Sequence, residues 1–257
     1  MHIADVKEGY WTALYAGDTT LVIEFDNIIK RSVVEKVNAL NERILAAITA
    51  GNLRGVLETV PTFRSLALVY DPLTITPSAL LDAIRTLDTD TSDTNQTSAS
   101  RRRHWQLPVL YGGEQGPDLA DVAQRTGLST DEVIQLHSQD EVTAYMLGFL
   151  PGYAFLGDTP KTLHLPRRTE PRLRVPAGSV AIAMQLTGVY PWESPGGWHI
   201  IGNCPIPMFD ASVSPPALLR AGDKVSFNQI DRVEFDTLLQ ASSDGNIERS
   251  RWMTSRL

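Results

Sequence analysis

This 257-residue sequence has a single cysteine and no cluster of histidines. Cys204 is the single cysteine, so an intrachain disulfide and a cysteine-rich zinc site are excluded. The histidines lie far apart: His2, His104, His137, His164 and His199. None of them has the spacing of a metal-ligand pair. The sequence therefore predicts no metal site, and its cysteine content fits a reducing compartment.

Long apolar runs and net positive charge are lacking as well. No run approaches the roughly 20 apolar residues that a membrane helix needs. The stretch from Met1 to Leu14 mixes charged with apolar residues, unlike a signal peptide. The formal net charge is −7, which argues against a general nucleic-acid binder. We expect a cytoplasmic protein that has neither a membrane nor a nucleic acid among its partners.

The common catalytic signatures are absent too. The sequence contains no G-x-x-x-x-G-K-[ST] phosphate loop and no G-x-S-x-G nucleophile elbow. No activating histidine can be placed beside Cys204, so an inert, partly buried thiol is the favoured interpretation. Glu193 as a general base has no support. We therefore expect this chain to be inactive alone.

A polar stretch divides the sequence into two parts with different patterns. Residues 89–104 offer almost nothing to bury, so we predict a linker there. Residues 1–88 show the order strand, helix, strand, strand, helix, which predicts a small α+β domain with helices on one face of a sheet. In residues 105–257, a strand and two short helices precede many short apolar runs separated by Gly and Pro. That pattern is typical of a β-sandwich or barrel.

The first unusual segment is Gly148–Gly157, with three glycines, one proline and three aromatic residues in ten positions. Glycine permits backbone conformations and close approaches that other residues forbid. The segment is either the apolar wall of a pocket or a tight corner that packs on the core.

The second segment, Leu165–Pro176, is rich in arginine. It sets four arginines against Glu170 alone, which leaves a local charge of +3: Arg167, Arg168, Arg172 and Arg174. Guanidinium groups bind carboxylates and phosphates in a bidentate fork. The segment is either an anion site or a solvated strand whose ion pairs contribute about 0–1 kcal/mol each.

The third segment, Gln185–Trp198, carries many hydrogen-bonding side chains. They are Gln185, Thr187, Tyr190, Glu193, Ser194 and Trp198. A few polar groups over an apolar floor are the usual composition of a small-molecule site, and Gly196 and Gly197 could present backbone N–H groups to an anion. The alternative is a structural hairpin with Trp198 in the core.

Together these strings resemble the allophanate hydrolase subunit 1 family, which also includes the sporulation kinase inhibitor KipI. The resemblance rests on GFLPGYAFLG, LPRRTEPRLRVPAGSVAIA, QLTGVYPWESPGGWHIIG and the later AGDKVSF. It implies an α+β N-terminal domain followed by a mainly-β cyclophilin-like barrel domain. One departure is Asn203, which stands where the family often has arginine.

The same resemblance implies a function in an enzyme complex. We expect a component of an ATP-dependent 5-oxoprolinase, which opens 5-oxo-L-proline to L-glutamate with ATP as co-substrate. Its partners would be the A and C subunits of that enzyme, the latter of the allophanate hydrolase subunit 2 type. The ATP site could lie on a partner, and the sequence leaves open which of the subunits binds ATP. The alternatives are a KipI-like inhibitor of a sensor histidine kinase and a component of urea or allophanate hydrolysis.

By position, the family's motif residues give a hypothetical site. We predict catalytic roles for Arg172, Arg174 and Gln185, because opening a lactam requires its developing charge to be stabilised. The predicted substrate-binding residues are Arg167, Arg168, Thr187, Tyr190, Ser194, Gly196, Gly197 and Trp198.

Overall fold

The computed structural model describes residues 6–8, 11–89 and 103–256. The chain divides into two compact units, Met1–Arg101 and Arg102–Leu257. Most of the linker predicted at 89–104 lies outside the described residues. At its two ends, Thr89 is the last residue of a helix and Arg103 is the first residue of a strand.

The first unit combines a five-stranded sheet with two helices. Its elements are β1 (Val6–Glu8), β2 (Trp11–Tyr15), β3 (Thr20–Glu24), α1 (Arg31–Thr49), β4 (Val56–Pro61), β5 (Ser65–Tyr70) and α2 (Pro77–Thr89). The strands are hydrogen-bonded in the order β1-β2-β3-β5-β4, and every pairing is antiparallel. The predicted α+β character of this part of the chain is confirmed.

Alternating burial shows which face of this sheet the helices cover. In β3, Leu21 and Ile23 are fully buried, whereas Val22 between them is half-buried. Successive side chains of a strand point to opposite faces, so the buried set lies on one face. The apolar stripe of α1 packs there and consists of Val33, Val37, Leu40 and Ile44.

The second unit is built around a closed β-barrel. Its elements are β6 (Arg103–Tyr111), α3 (Leu119–Thr126), α4 (Thr130–Gln139), β7 (Val142–Leu147), β8 (Ala154–Gly157), β9 (Arg172–Val175), β10 (Ser179–Ala183), β11 (Leu186–Val189), β12 (Ser194–Gly196), β13 (His199–Asn203), β14 (Lys224–Gln229), α5 (Arg232–Ser243) and β15 (Met253–Arg256). Seven strands form the ring β13-β10-β11-β8-β7-β14-β6, which closes because β6 also pairs with β13. β15 adds to the other end of β6.

Two short helices follow β6, as the sequence predicts. Ser129 caps α4: its hydroxyl accepts from the backbone N–H of Glu132, and the Glu132 carboxylate accepts from the backbone N–H of Ser129. Gly127 ends α3 in the left-handed conformation, at φ 72°. Both helices pack against the barrel core through Val122 and Val133.

A two-stranded ribbon stands apart from the barrel sheet in hydrogen bonding. β9 and β12 pair antiparallel, with Ser194 opposite Val175 and Gly196 opposite Arg172. We call this pair the β9–β12 ribbon. It unites the arginine segment with the end of the segment Gln185–Trp198, so the fold brings two of the three unusual segments together.

Candidate functional site

The β9–β12 ribbon is fastened to the barrel by a buried carboxylate, Asp118. Arg172 binds it with both terminal nitrogens, at 2.8 and 2.7 Å, and Arg168 adds a bond of 2.9 Å. The backbone N–H of Ile200 donates to the same carboxylate at 2.7 Å. Asp118 lies directly before α3, and its own N–H donates to the carbonyl of Ile200. One side chain thus joins the ribbon to β13.

Opposing effects act on the pKa of Asp118. Burial raises it, but hydrogen bonds from Arg172 and Ile200, together with the charges of Arg172 and Arg168, outweigh that effect. The pKa therefore lies below its ordinary value, and Asp118 is ionised at neutral pH. The charges of Arg168 and Arg172 are therefore balanced by the Asp118 carboxylate within the protein. The predicted roles of Arg172 in catalysis and Arg168 in substrate binding remain predictions, which the pairing with Asp118 does not favour.

The other two arginines of the segment differ from that pair. Arg174 forms an ion pair with Glu193 at 2.7 Å, and both side chains are largely exposed. Such a surface pair contributes about 0–1 kcal/mol. Arg167 is exposed and, within the described residues, has no ion pair or hydrogen bond. It directly precedes Arg168, whose N–H donates to the carbonyl of Gly197 beside Trp198. Burial raises the pKa of Tyr153 and Tyr190, and the charge of Arg167 opposes that effect.

Five aromatic side chains meet beside Arg167: Phe149, Tyr153, Phe155, Tyr190 and Trp198. We call this group the aromatic cluster. The ring of Tyr153 lies at its centre, 5.2 Å from Tyr190 and 6.0 Å from Trp198 between ring centroids. All of its contacts are edge-to-face, the arrangement that aromatic quadrupoles favour. The cluster thus joins the segments Gly148–Gly157 and Gln185–Trp198.

The polar atoms of this cluster are unused by the protein. Tyr153 and Tyr190 are only 1% and 2% exposed, and Trp198 is 5% exposed. Across 11–89 and 103–256, neither tyrosine hydroxyl nor the indole N–H of Trp198 has a hydrogen-bond partner. Burial raises the pKa of both tyrosines, so both remain neutral hydrogen-bond donors. None of the three polar atoms is fully enclosed, so the rings are buried while their polar tips remain open to solvent.

Two glycines make room for the tyrosine hydroxyls. A Cβ atom at Gly188 would lie 2.7 Å from the hydroxyl of Tyr153, and one at Gly196 would lie 2.5 Å from that of Tyr190. Real Cβ contacts are not that short. Gly197, by contrast, has space for a Cβ, and its carbonyl accepts from the N–H of Arg168 at 2.8 Å. The predicted contact between these glycines and a substrate anion remains a prediction.

The hydroxyl of Thr187 is hydrogen-bonded within the core of the second unit. It is fully buried, donates to the carbonyl of Ala181 and accepts from Nε2 of His137 at 2.8 Å. The proton on His137 therefore sits on Nε2, and Nδ1 accepts from the hydroxyl of Tyr111 at 2.7 Å. Both hydrogen bonds of Thr187 serve the core, so the structure does not bring this predicted substrate ligand to the site.

The remaining residues singled out in the sequence make few side-chain contacts that point to a ligand. Ser194 is buried and donates weakly to the carbonyl of Pro195. Gln185 is half-buried in the turn between β10 and β11. Asn203 donates to the carbonyl of Ala177. Cys204 is 1% exposed, more buried than predicted, and burial raises its pKa to about 12, in line with an unreactive thiol. No group of three or more His, Cys, Asp or Glu side chains in the described ranges could hold a metal ion.

Sequence reasoning missed two central residues, Asp118 and Tyr153. Asp118 is 54 positions from Arg172, and nothing in the sequence links a residue at the start of a short helix to that arginine. Tyr153 belonged to the segment Gly148–Gly157, whose unusual aromatic content was a usable signal.

Among the helices of the described chain, none is long and apolar enough to cross a membrane.

This fold is that of a carboxyltransferase-domain protein. The family model for the carboxyltransferase domain, subdomain C and D, matches residues 11–219, and the chain belongs to this family. Among its relatives is the B subunit of 5-oxoprolinase from Bacillus subtilis, which is 38% identical over 88% of this chain and 96% of its own length. The protein of the same name from Escherichia coli O157:H7 is 39% identical over 82% of this chain and 92% of its own. The resemblance to the allophanate hydrolase subunit 1 family is confirmed.

Solved structures share the fold. TTHA0988 is 36% identical, with a TM-score of 0.71 over 82% of this chain, which spans only 40% of the TTHA0988 chain. The urea amidolyase of Kluyveromyces lactis has the same TM-score of 0.71 over 96% of this chain and 17% of its own, at 16% identity. At that identity the likeness extends to the fold alone. The cyclophilin-like description of the barrel remains a prediction.

Proposed function

We propose that this chain is the B subunit of an ATP-dependent 5-oxoprolinase, a complex that opens 5-oxo-L-proline to L-glutamate. The observation that carries the proposal is the 38% identity to the corresponding protein of Bacillus subtilis, over 96% of that protein's length. Identity over nearly the whole length favours the same position in the same kind of complex. The proposal places the complex in the cytoplasm, where ATP is available and a lone thiol stays reduced.

The functional groups of this chain fit one subunit of a complex whose active site needs further subunits. A lactam is a stable amide, and its hydrolysis needs an activated oxygen and stabilisation of developing charge. This sequence has neither a phosphate loop nor a nucleophile elbow. We therefore assign ATP use to the complex with the A and C subunits, without assigning the ATP site to one of the three proteins.

Reconstitution tests the proposal. The chain is purified with the A and C subunits of the same organism, and glutamate and ADP are measured with 5-oxoproline and ATP. We expect turnover that requires all three proteins, and none from this chain alone. An assembled complex that leaves 5-oxoproline intact would contradict the proposal, as would turnover by the isolated chain.

Urea or allophanate hydrolysis is the second candidate, because the fold is shared with a urea amidolyase. The same reconstitution with urea or allophanate in place of 5-oxoproline separates the two, and turnover of those substrates alone would favour the second. Tight binding of a sensor histidine kinase by an inactive complex would favour the KipI-like inhibitor.

A further inference from the structure

We propose that the aromatic cluster and Arg167 form a binding site on this protein for a small ring that carries a carboxylate and an amide, the class to which 5-oxoproline belongs. The proposal rests on the proposed function for the identity of that ring. The site itself rests on three independent features of the second unit: free donors, a free cation and a fixed backbone.

The free donors are the hydroxyls of Tyr153 and Tyr190 and the indole N–H of Trp198. Their rings are almost completely buried, but the three polar atoms are not fully enclosed, and the described part of the chain supplies them with no acceptor. The indole N–H of Trp105, by contrast, donates to Asp223 at 3.0 Å. Three unused donors from one cluster indicate a ligand with acceptor oxygens, such as an amide carbonyl.

The free cation is Arg167. The other three arginines of its segment are paired, two with Asp118 and one with Glu193. Arg167 directly precedes Arg168, whose N–H donates to the carbonyl of Gly197, the neighbour of Trp198, so the arginine lies beside the aromatic cluster. Its charge opposes the effect of burial on the pKa of Tyr153 and Tyr190. A guanidinium beside neutral phenols selects an anion, and its planar fork suits a carboxylate.

The backbone on both sides of Arg167 is held in place. The carbonyl of Pro166 accepts from Nε2 of His199 at 2.9 Å, and the N–H of Arg168 donates to the carbonyl of Gly197 at 2.8 Å. Arg168 is also anchored through its side chain to Asp118. Asp118 and the paired arginines therefore position Arg167 without contacting the ligand, which reduces the entropy lost on binding.

Phe149 borders the same site with an unusual backbone. It is 62% exposed, with φ at 70°, and its ring meets those of Tyr153 and Tyr190 edge-on. A left-handed conformation is uncommon for a bulky residue and occurs often at ligand sites. The exposed ring offers an apolar surface for the carbon skeleton of a bound ring, with the three donors and Arg167 beside it.

The test uses the complex with the A and C subunits and measures KM and kcat for 5-oxoproline and KM for ATP. We expect Arg167→Ala to raise the KM for 5-oxoproline at least about tenfold, the effect of losing one charged hydrogen bond, with Arg167→Lys intermediate. Tyr153→Phe and Tyr190→Phe each remove one oxygen from a buried ring and should raise the same KM. Arg232→Ala, which removes an exposed arginine paired with Asp236 on α5, serves as the matched control.

A competitor series identifies the chemistry of the site. 2-Pyrrolidone has the lactam without the carboxylate, so we expect it to inhibit wild type only weakly and to inhibit Arg167→Ala about equally weakly. An active wild-type complex whose KM for 5-oxoproline stays within about twofold in Arg167→Ala and both phenylalanine variants would overturn the site. So would a rise confined to the KM for ATP. A wild-type complex without activity would refute the proposed function instead, and the two failures are therefore distinguishable.

Discussion

At the scale of the residue, Asp118 is the most consequential side chain of the second unit. Its carboxylate receives two arginines and a backbone N–H while almost completely buried. Removing one partner of a buried ion pair is costly because the remaining charges stay buried. Arg168 and Arg172 would be left half-buried without a counter-charge.

We expect Asp118→Asn to lower the free energy of unfolding by about 2–4 kcal/mol, less than a fully buried pair because both arginines keep some solvent contact. Urea unfolding of the purified chain measures this change. Asp121→Asn is the matched control, since that residue lies on α3, is half-exposed and has only long contacts, 3.6 Å to Arg125 and 3.9 Å to His199. Equal stability of the two variants would show that Asp118 does not hold the β9–β12 ribbon.

His137 gives the protein a dependence on pH. Burial lowers its pKa from 6.5 to about 3, so the folded protein binds this proton only in strong acid. An unfolded chain binds it below about pH 6.5. The contribution of the neutral His137 to the free energy of unfolding is therefore complete above pH 6.5 and is lost as the pH falls from 6.5 toward 3.

We expect the free energy of unfolding of wild type to fall by about 2 kcal/mol more between pH 7 and pH 5 than that of His137→Gln, which cannot titrate. Urea unfolding at both pH values gives the two differences. Asp118 does not contribute in this interval, because its lowered pKa confines its effect to pH values below about 4. Parallel pH profiles for the two proteins would refute the role of His137.

At the scale of the element, β12 ends at Gly196, which has no space for a side chain, and the next residue, Gly197, has such space. A methyl group at Gly196 would meet the hydroxyl of Tyr190 and the side chain of Val175, both buried, whereas one at Gly197 meets only Pro171 at 3.7 Å. We expect Gly196→Ala to destabilise the chain by about 1–3 kcal/mol through overpacking. Gly197→Ala should change stability by less than about 0.5 kcal/mol. Thermal unfolding of both variants tests this, and the reverse order would contradict the packing.

Elements with a strong local pattern are the ones that the sequence predicts well. The stripe of α1 and the capping box of α4 need only residues a few positions apart, and the helix of the first unit and the two short helices after β6 were predicted and are present. α5 was not predicted, because only Phe235 of its side chains is buried and its apolar periodicity is weak. The β9–β12 ribbon was also not predicted, since its pairing depends on strands separated by β10 and β11.

The candidate site was also predictable only where the signal lay within one short segment of sequence. Its segments were predictable from glycine, arginine and aromatic content, but the partners of each side chain were not. Four arginines of one segment look equivalent in sequence, and only the fold assigns Arg168 and Arg172 to Asp118 and leaves Arg167 free among the described residues. Long-range pairings are invisible to patterns of period two or 3.6.

At the scale of the whole molecule, each unit has a hydrophobic core of its own. The core of the first unit includes Leu21 and Leu66, and that of the second includes Leu107 and Val180, with no described residue in common. A core within each part of the chain is the physical basis of a domain. The catalytic complex can therefore use the two units for different contacts.

Closure of the barrel has a consequence for biosynthesis. The sheet of the first unit is complete once Tyr70 has been made, whereas β6 awaits its parallel neighbour until β14 is made, with His104 opposite Lys224. During translation, β6 must remain without that neighbour on the ribosome while most of its unit is added. Such nascent edges attract chaperones and neighbouring chains. Soluble yield in a heterologous host should therefore respond more to chaperone supply and growth temperature than the stability of the finished protein would suggest.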